Sequence, residues 1–372
     1  MKPTDLQKDS RGFVADIQAN MRRNSLDAFF VAELPNVRYL TTFTGTSGFC
    51  LVFRDSAFFL TDFRYKTQAS HQVVSCETVI YSGNLFDFIG RRFFRKSRQL
   101  SIGIEDTLQV GMFAELQEKI AGCKFVRTSQ VLEKLAAVKT KAEVSRIRQA
   151  CTISSNALDV LVQEDWRGKT ETDLAAMLEF NQKIIGASGI SFETIVASGV
   201  RGAMPHGVAS GKEVNAGEFV TIDFGCLYDG YASDITRTFL TGLKSKPELV
   251  KIYSVVRDAQ SRGIAAARAG IKANKVDKAA RDYIERKGYG KFFGHGTGHG
   301  VGLRIHELPR VSRVSEDVLE EGNVITIEPG IYVPRLGGVR IEDDFLVTKD
   351  GVEQLSHFSK EADYYISAYG RH

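Results

Sequence analysis

Residues 220–234 read Val220-Thr221-Ile222-Asp223-Phe224-Gly225-Cys226-Leu227-Tyr228-Asp229-Gly230-Tyr231-Ala232-Ser233-Asp234. Apolar runs flank Asp229-Gly230, a dipeptide that accepts positive φ and therefore marks a β-hairpin turn. With the turn near Tyr228 to Gly230, Asp223 and Asp234 are expected nearly opposite one another on adjacent strands. Directly opposed residues have Cβ atoms ~5 Å apart, so two bare carboxylates there repel unless a cation lies between them. Asp223 also interrupts a hydrophobic strand, where an unpaired charge is costly. A metal ion resolves both problems; two strand-end carboxylates hydrogen-bonded to backbone would be the blander arrangement.

On the N-terminal side of this hairpin, Thr140-x-x-Glu143 and Thr170-x-x-Asp173 match capping boxes and precede apolar residues at helical spacing. Two helices therefore lead into strand-like runs at 192–197, 218–224 and 232–240. The order then recurs. A helix from about Pro247 to Ala269 is stopped by Gly270 and a second, Lys275 to Lys287, by Gly288. Strand-like Val324 to Tyr332 and Gly338 to Val347 follow, around a turn containing Gly337-Gly338. Two helix, helix, hairpin units predict one domain built as a pseudo-duplicated pair of halves. Before Thr140 the texture differs: short runs such as Ala28-Phe29-Phe30-Val31 and Gly48-Phe49-Cys50-Leu51-Val52-Phe53 predict strands of a separate α/β layer. The fold class is thus α/β (α+β), with an N-terminal domain over 1–131 and a second domain over 132–372.

The second half carries acids at the matching place, Glu328 in Ile325-Thr326-Ile327-Glu328-Pro329-Gly330 and Glu342 in Val339-Arg340-Ile341-Glu342-Asp343. Ahead of them, Phe293-Gly294-His295-Gly296-Thr297-Gly298-His299-Gly300-Val301-Gly302-Leu303-Arg304-Ile305-His306-Glu307 holds three of the chain's seven histidines. The glycines fail the G-x-G-x-x-G fingerprint in every register, which removes the phosphate-cradle reading, and Arg310 stands where H-E-x-x-H needs its second histidine. Four carboxylates and an imidazole form a mostly oxygen ligand set suited to two divalent cations of the Mn, Co, Fe or Zn kind, and hence to a hydrolase.

The ordered set Asp223, Asp234, His299, Glu328, Glu342 resembles the ligand set of the pita-bread metallopeptidases, which include methionine aminopeptidase, Xaa-Pro aminopeptidase and prolidase. Ser191-Phe192-Glu193-Thr194-Ile195-Val196-Ala197-Ser198-Gly199 followed by Pro205-His206-Gly207 is similar to the Xaa-Pro branch. Asn36-x-x-Tyr39-Leu40-Thr41 and Asp62-Phe63-Arg64-Tyr65-x-x-Gln68-Ala69 resemble that branch's creatinase-like N-terminal domain. The resemblance implies that all five residues ligate, with Glu328 also the proton-accepting base for a bridging hydroxide held by two ions, Mn²⁺ first and Co²⁺ or Zn²⁺ as alternatives. It further implies that His206 and His306 act in substrate binding and catalysis, that His295 lines the substrate pocket and that Arg340 braces the ligand carboxylates. The chain departs from the pattern at Val200-Arg201-Gly202, where relatives often carry small polar residues. The activity implied is that of an Xaa-Pro aminopeptidase, the alternatives being a prolidase restricted to dipeptides, or a catalytically inactive binding protein on the same fold. A homodimer is implied by resemblance alone.

Composition agrees with a folded hydrolase. Of 372 residues, 43% are hydrophobic and 25% charged, and 49 basic against 45 acidic residues leave a formal charge of +4, too little to favour nucleic acid or anionic membrane. The basic run 91–98 is read as a solvated amphipathic helix rather than a nucleic-acid contact. Five scattered cysteines without C-x-x-C spacing, a charged start and no apolar run of ~18 residues lead us to expect a cytoplasmic protein, with Cys226 a buried strand cysteine.

Overall fold

The computed structural model describes residues 3–95, 99–242 and 245–369. The chain forms two compact units, Met1–Ala136 and Ala137–His372. The division falls at 136/137 rather than 131/132 because the helix Val131–Ala137 belongs mostly to the first unit: Leu132 is buried, and Glu133 accepts a hydrogen bond from Asn36 Nδ2 at 2.9 Å.

In the first unit the strands run Glu77–Ile80, Ala57–Thr61, Phe49–Phe53, Ala28–Val31, Ser101–Glu105, Lys124–Thr128 across one mixed sheet. Ala28–Val31 is buried on both faces, which explains why its sequence is continuously apolar instead of alternating. Asn36 shows why its motif matters: its amide nitrogen donates to Glu105 Oε1, while Glu105 Oε2 accepts from the backbone nitrogens of Ala32 and Glu33. The end of one central strand is thereby tied to the turn after its neighbour. Of the basic run, residues 91–93 close the helix Leu85–Phe93, and 96–98 lie outside the described residues.

In the second unit both capping boxes are formed, Thr140 with Glu143 and Thr170 with Asp173, and open the helices Lys141–Leu161 and Glu171–Ile185. The second helix pair is Pro247–Ala266 and Ala273–Arg286, the latter followed by Gly288 at φ 85°. Each pair covers one face of the strands. Leu158, Trp166 and Leu178 pack on Ile222, Phe224 and Phe239, and in the other half Ile252, Val256 and Ile284 pack on Ile331, Val339 and Ile341.

The strands are shorter than their apolar runs. Val324 to Tyr332 divides into Val324–Ile327 and Gly330–Val333, and Gly337–Arg340 is separate from Asp343–Val347. An acid stands at each break: Glu328 lies in one and Glu342 at the other, where a single bridge to Thr236 joins the two halves. The turn occupies residues 334–336, with Arg335 at φ 66°, and Gly337 already pairs with Val333.

Candidate metal centre

The hairpin register differs from the expected one. Asp229 and Gly230 both take positive φ, 46° and 75°, so the loop is a two-residue turn with Tyr228 paired to Tyr231. The same register continues beyond the break, and Asp223 stands opposite Thr236, not Asp234. Gly225, Ser233 and Asp234 lie outside the paired strands. Gly225 is required there, since a Cβ would lie 1.8 Å from Ser233 O. Asp234 is therefore diagonal to Asp223. In the other half, Ile327 pairs with Asp343 and Gly330 with Arg340, which leaves Glu328 and Glu342 facing one another across the gap.

His299 reaches the acids from the short strand Gly298–Gly300. Its Nδ1 lies 3.0 Å from Gly300 O, and a carbonyl can only accept, so Nδ1 carries the hydrogen and Nε2 is left with a bare lone pair. That lone pair faces Asp234 Oδ2 and Glu328 Oε1, each at 3.5 Å. Burial, with His306 adding to it, pushes His299 down to about 4, so the imidazole is neutral and cannot neutralise the acids. Asp234 and Glu342 are raised well above the usual carboxylate range, first by burial and then by the neighbouring acids, and burial lifts Glu328 to about 8. Donor atoms of Asp234, His299 and Glu342 all fall within 4.8 Å of one another. Asp223 Oδ1 is buried without any hydrogen-bond partner. A convergence of acceptors, one of them Asp223 Oδ1 buried without a donor, fits divalent cations, and the mostly oxygen ligand set suits Mn²⁺, Co²⁺ or Zn²⁺.

Arg340 sets a fixed positive charge against these acids. Its Nη2 donates to Asp223 Oδ2, its Nε to Thr236 Oγ1 at 3.1 Å, and Thr236 Oγ1 in turn donates to Glu342 Oε2 at 2.6 Å. Its Nη1 also binds Tyr332 OH at 2.8 Å and Pro205 O at 3.1 Å. His295 Nε2 meets the same Tyr332 hydroxyl at 2.8 Å, and burial with Arg340 nearby holds this ring neutral at about 4. The His306 and His299 rings are 4.4 Å apart, edge to face.

All nine residues singled out from the sequence, the five acceptor residues with His206, His295, His306 and Arg340, line one cavity of about 430 Å³. Phe192, Ile195, Val208 and Ile305 supply apolar wall, and Glu193 sits among the lining residues. Several supports escaped the sequence reading. Asp344 Oδ2 accepts from Asp234 N at 2.8 Å and from Cys151 Sγ at 3.2 Å. The Asp277–Arg281 pair holds the histidine loop, with Asp277 Oδ1 accepting from Thr297 N and Arg281 donating to Phe293 O and His295 O. A buried Lys139–Glu307 ion pair at 2.7 Å anchors the residue after His306. Only Asp277–Arg281, an acid and base four apart on a predicted helix, left a sequence signal. Cys226 is buried and donates to Ala150 O at 3.3 Å.

Fold and site together define a pita-bread metallopeptidase. The model of metallopeptidase family M24 matches residues 145–349 and that of the creatinase/prolidase N-terminal domain residues 14–138. The chain belongs to metallopeptidase family M24, with a creatinase/prolidase N-terminal domain preceding the peptidase domain. It is 40% identical over 346 residues to an Xaa-Pro dipeptidase of Pyrococcus furiosus, covering 92% of this chain and 96% of that one. Among solved structures it is similar to an Xaa-Pro dipeptidase from Bacillus anthracis (TM-score 0.92, 40% identity, 95% of this chain and 99% of that one). It is also similar to an X-Pro aminopeptidase from Thermotoga maritima (TM-score 0.85, 34% identity, 92% and 99%).

Proposed function

We propose that the protein is an Xaa-Pro dipeptidase, a hydrolase that splits the bond between a first residue and proline in a two-residue peptide. The aminopeptidase reading reached from the residues gives way to its alternative, because relatives similar over almost the whole of both chains carry the dipeptidase name. The observation that carries the proposal is the convergence of acceptors in one cavity of about 430 Å³, at the small end of the ~300–1,000 Å³ common for ligand sites and suited to two residues.

In this reading Asp223, Asp234, His299, Glu328 and Glu342 hold two divalent ions, Mn²⁺ being the first choice. When bound, such ions act as Lewis acids, lowering the pKa of water and polarising a carbonyl. Glu328, with its carboxyl oxygen beside His299 Nε2, takes the proton of the attacking water and returns it to the departing proline nitrogen. His206 and His306 line the same cavity and donate hydrogen bonds to the substrate carbonyl as it becomes tetrahedral. Arg340 orients Asp223 through a direct hydrogen bond and, through Thr236, orients Glu342. An Xaa-Pro amide has no N–H, so an apolar wall of Phe192, Ile195, Val208 and Ile305 receives the ring without stranding a donor.

The test is side-by-side kinetics of an Xaa-Pro dipeptide and the matching Xaa-Pro tripeptide with Mn²⁺-loaded protein. The dipeptide should turn over and the tripeptide should not. A tripeptide with the higher kcat/KM would restore the aminopeptidase, and no turnover of either would favour the inactive binding protein.

A further inference from the structure

We infer that Glu171 is a positioning residue of the peptidase site, a buried carboxylate that clasps the loop 199–210 at both ends and so sets His206 in the cavity. The inference rests on the peptidase reading of that site. Glu171 has no solvent exposure and takes five hydrogen bonds. Its Oε1 accepts from Ser198 N at 2.7 Å and Ser198 Oγ at 2.8 Å, where the chain leaves the strand Ile195–Ser198. Its Oε2 accepts from Arg201 Nε at 2.8 Å at the start of the loop, and from Ser210 Oγ at 2.7 Å and Ser210 N at 3.2 Å at its end. Arg201 then spans the loop, since its Nη2 donates to Val208 O at 2.7 Å. Between these anchors lie Pro205, His206 and Val208, all of which line the cavity.

A plainer role would be to cap the helix Glu171–Ile185, of which Glu171 is the first residue. Thr170 and Asp173 already form the capping box, and none of the five donors to Glu171 belongs to its own helix. The carboxylate is spent on the loop. This also accounts for Arg201 in the unusual Val200-Arg201-Gly202 segment: its guanidinium points to Glu171 and Val208 O, and serves the site by holding backbone.

A double-mutant cycle on the metal-loaded enzyme tests the clasp. E171Q should lower kcat/KM for the Xaa-Pro dipeptide roughly 10-fold or more while leaving bound metal per chain unchanged, since a displacement of ~1 Å can cost as much as 10²-fold. In an H206A background the further loss from E171Q should fall below ~2-fold, because there is no imidazole left to misplace. R201K, which keeps one charged bond to Glu171 but cannot also reach Val208 O, should retain more activity than R201A. Losses that multiply undiminished in the H206A background, or loss of metal in E171Q, would overturn the proposal. If E171Q does not fold, S210A removes one arm alone and should give a smaller loss that again vanishes with H206A. Amide hydrogen exchange over 199–210, at least tenfold faster in E171Q or S210A than in wild type, reads the clasp without any substrate; unchanged exchange overturns it. Wild-type protein inert toward Xaa-Pro peptides would remove the substrate reading while this exchange result still decides the clasp.

Discussion

Arg340 is the side chain on which the charge balance of the site turns. It is 4% exposed and bonds to Asp223, whose second oxygen has no hydrogen-bond partner. Removing one member of a buried ion pair leaves the other charge uncompensated, at a cost of about 3–5 kcal/mol. Arg340→Met should therefore destabilise the metal-stripped protein by that amount in urea unfolding. A change below ~1 kcal/mol would show that the pair does not carry this energy. His306 is a different case: it lines the same cavity, with its ring 4.4 Å from that of His299. His306→Ala should lower kcat by about 10²-fold, as for the loss of one transition-state donor, with metal content unchanged. Loss of metal as well would place His306 among the ligands.

At the scale of elements, the hairpins matter through their interruptions. Continuous strands would point alternate residues to opposite faces and seal the sheet; the breaks at Gly225, Ser233–Asp234, Glu328–Pro329 and Ile341 let acids from four segments turn toward one point. Pro329 has no N–H to give a ladder, which explains the break after Glu328. The glycines of 294–302 are unequal in the same way. A Cβ on Gly298 would lie 2.0 Å from Thr326 O, whereas one on Gly294 would meet nothing within 4 Å. Gly298→Ala should displace the His299 strand and abolish metal binding, while Gly294→Ala should stay within ~0.5 kcal/mol of wild type. Calorimetry with elemental analysis of both variants checks the contrast, and equal behaviour would show that the strand yields to the added methyl.

For the molecule as a whole, the acceptor cluster predicts strong linkage between metal and folding. Purified protein should carry close to two divalent ions per chain. Chelation should abolish activity and lower Tm, and Mn²⁺ or Co²⁺ should restore both, because ions at 100 times their Kd stabilise by about 2.7 kcal/mol per site. Activity intact after complete removal of metal would dismiss the centre. Among the described residues no helix is long and apolar enough to cross a membrane. Light scattering checks the homodimer expected from resemblance: a mass of one chain would exclude it.

Much of this protein was legible in its residues, because its signals are local. Two capping boxes announced the helices they open, Asp229-Gly230 announced a turn, and four acids and a histidine in order announced the family. A cap, a turn or a ligand depends on residue type and short spacing, which sequence carries directly. The relative placement of the acids was a tertiary matter. The turn type moved Asp223 from Asp234 to Thr236, and breaks in four strands brought both halves to one point. The supports lie farther still from sequence reading. Glu171 gathers Ser198, Arg201 and Ser210, Lys139 meets Glu307, and Asp344 holds the backbone of Asp234. Each is an ordinary charged residue whose meaning comes from burial, and burial is decided only when distant segments pack and must satisfy every polar group they enclose.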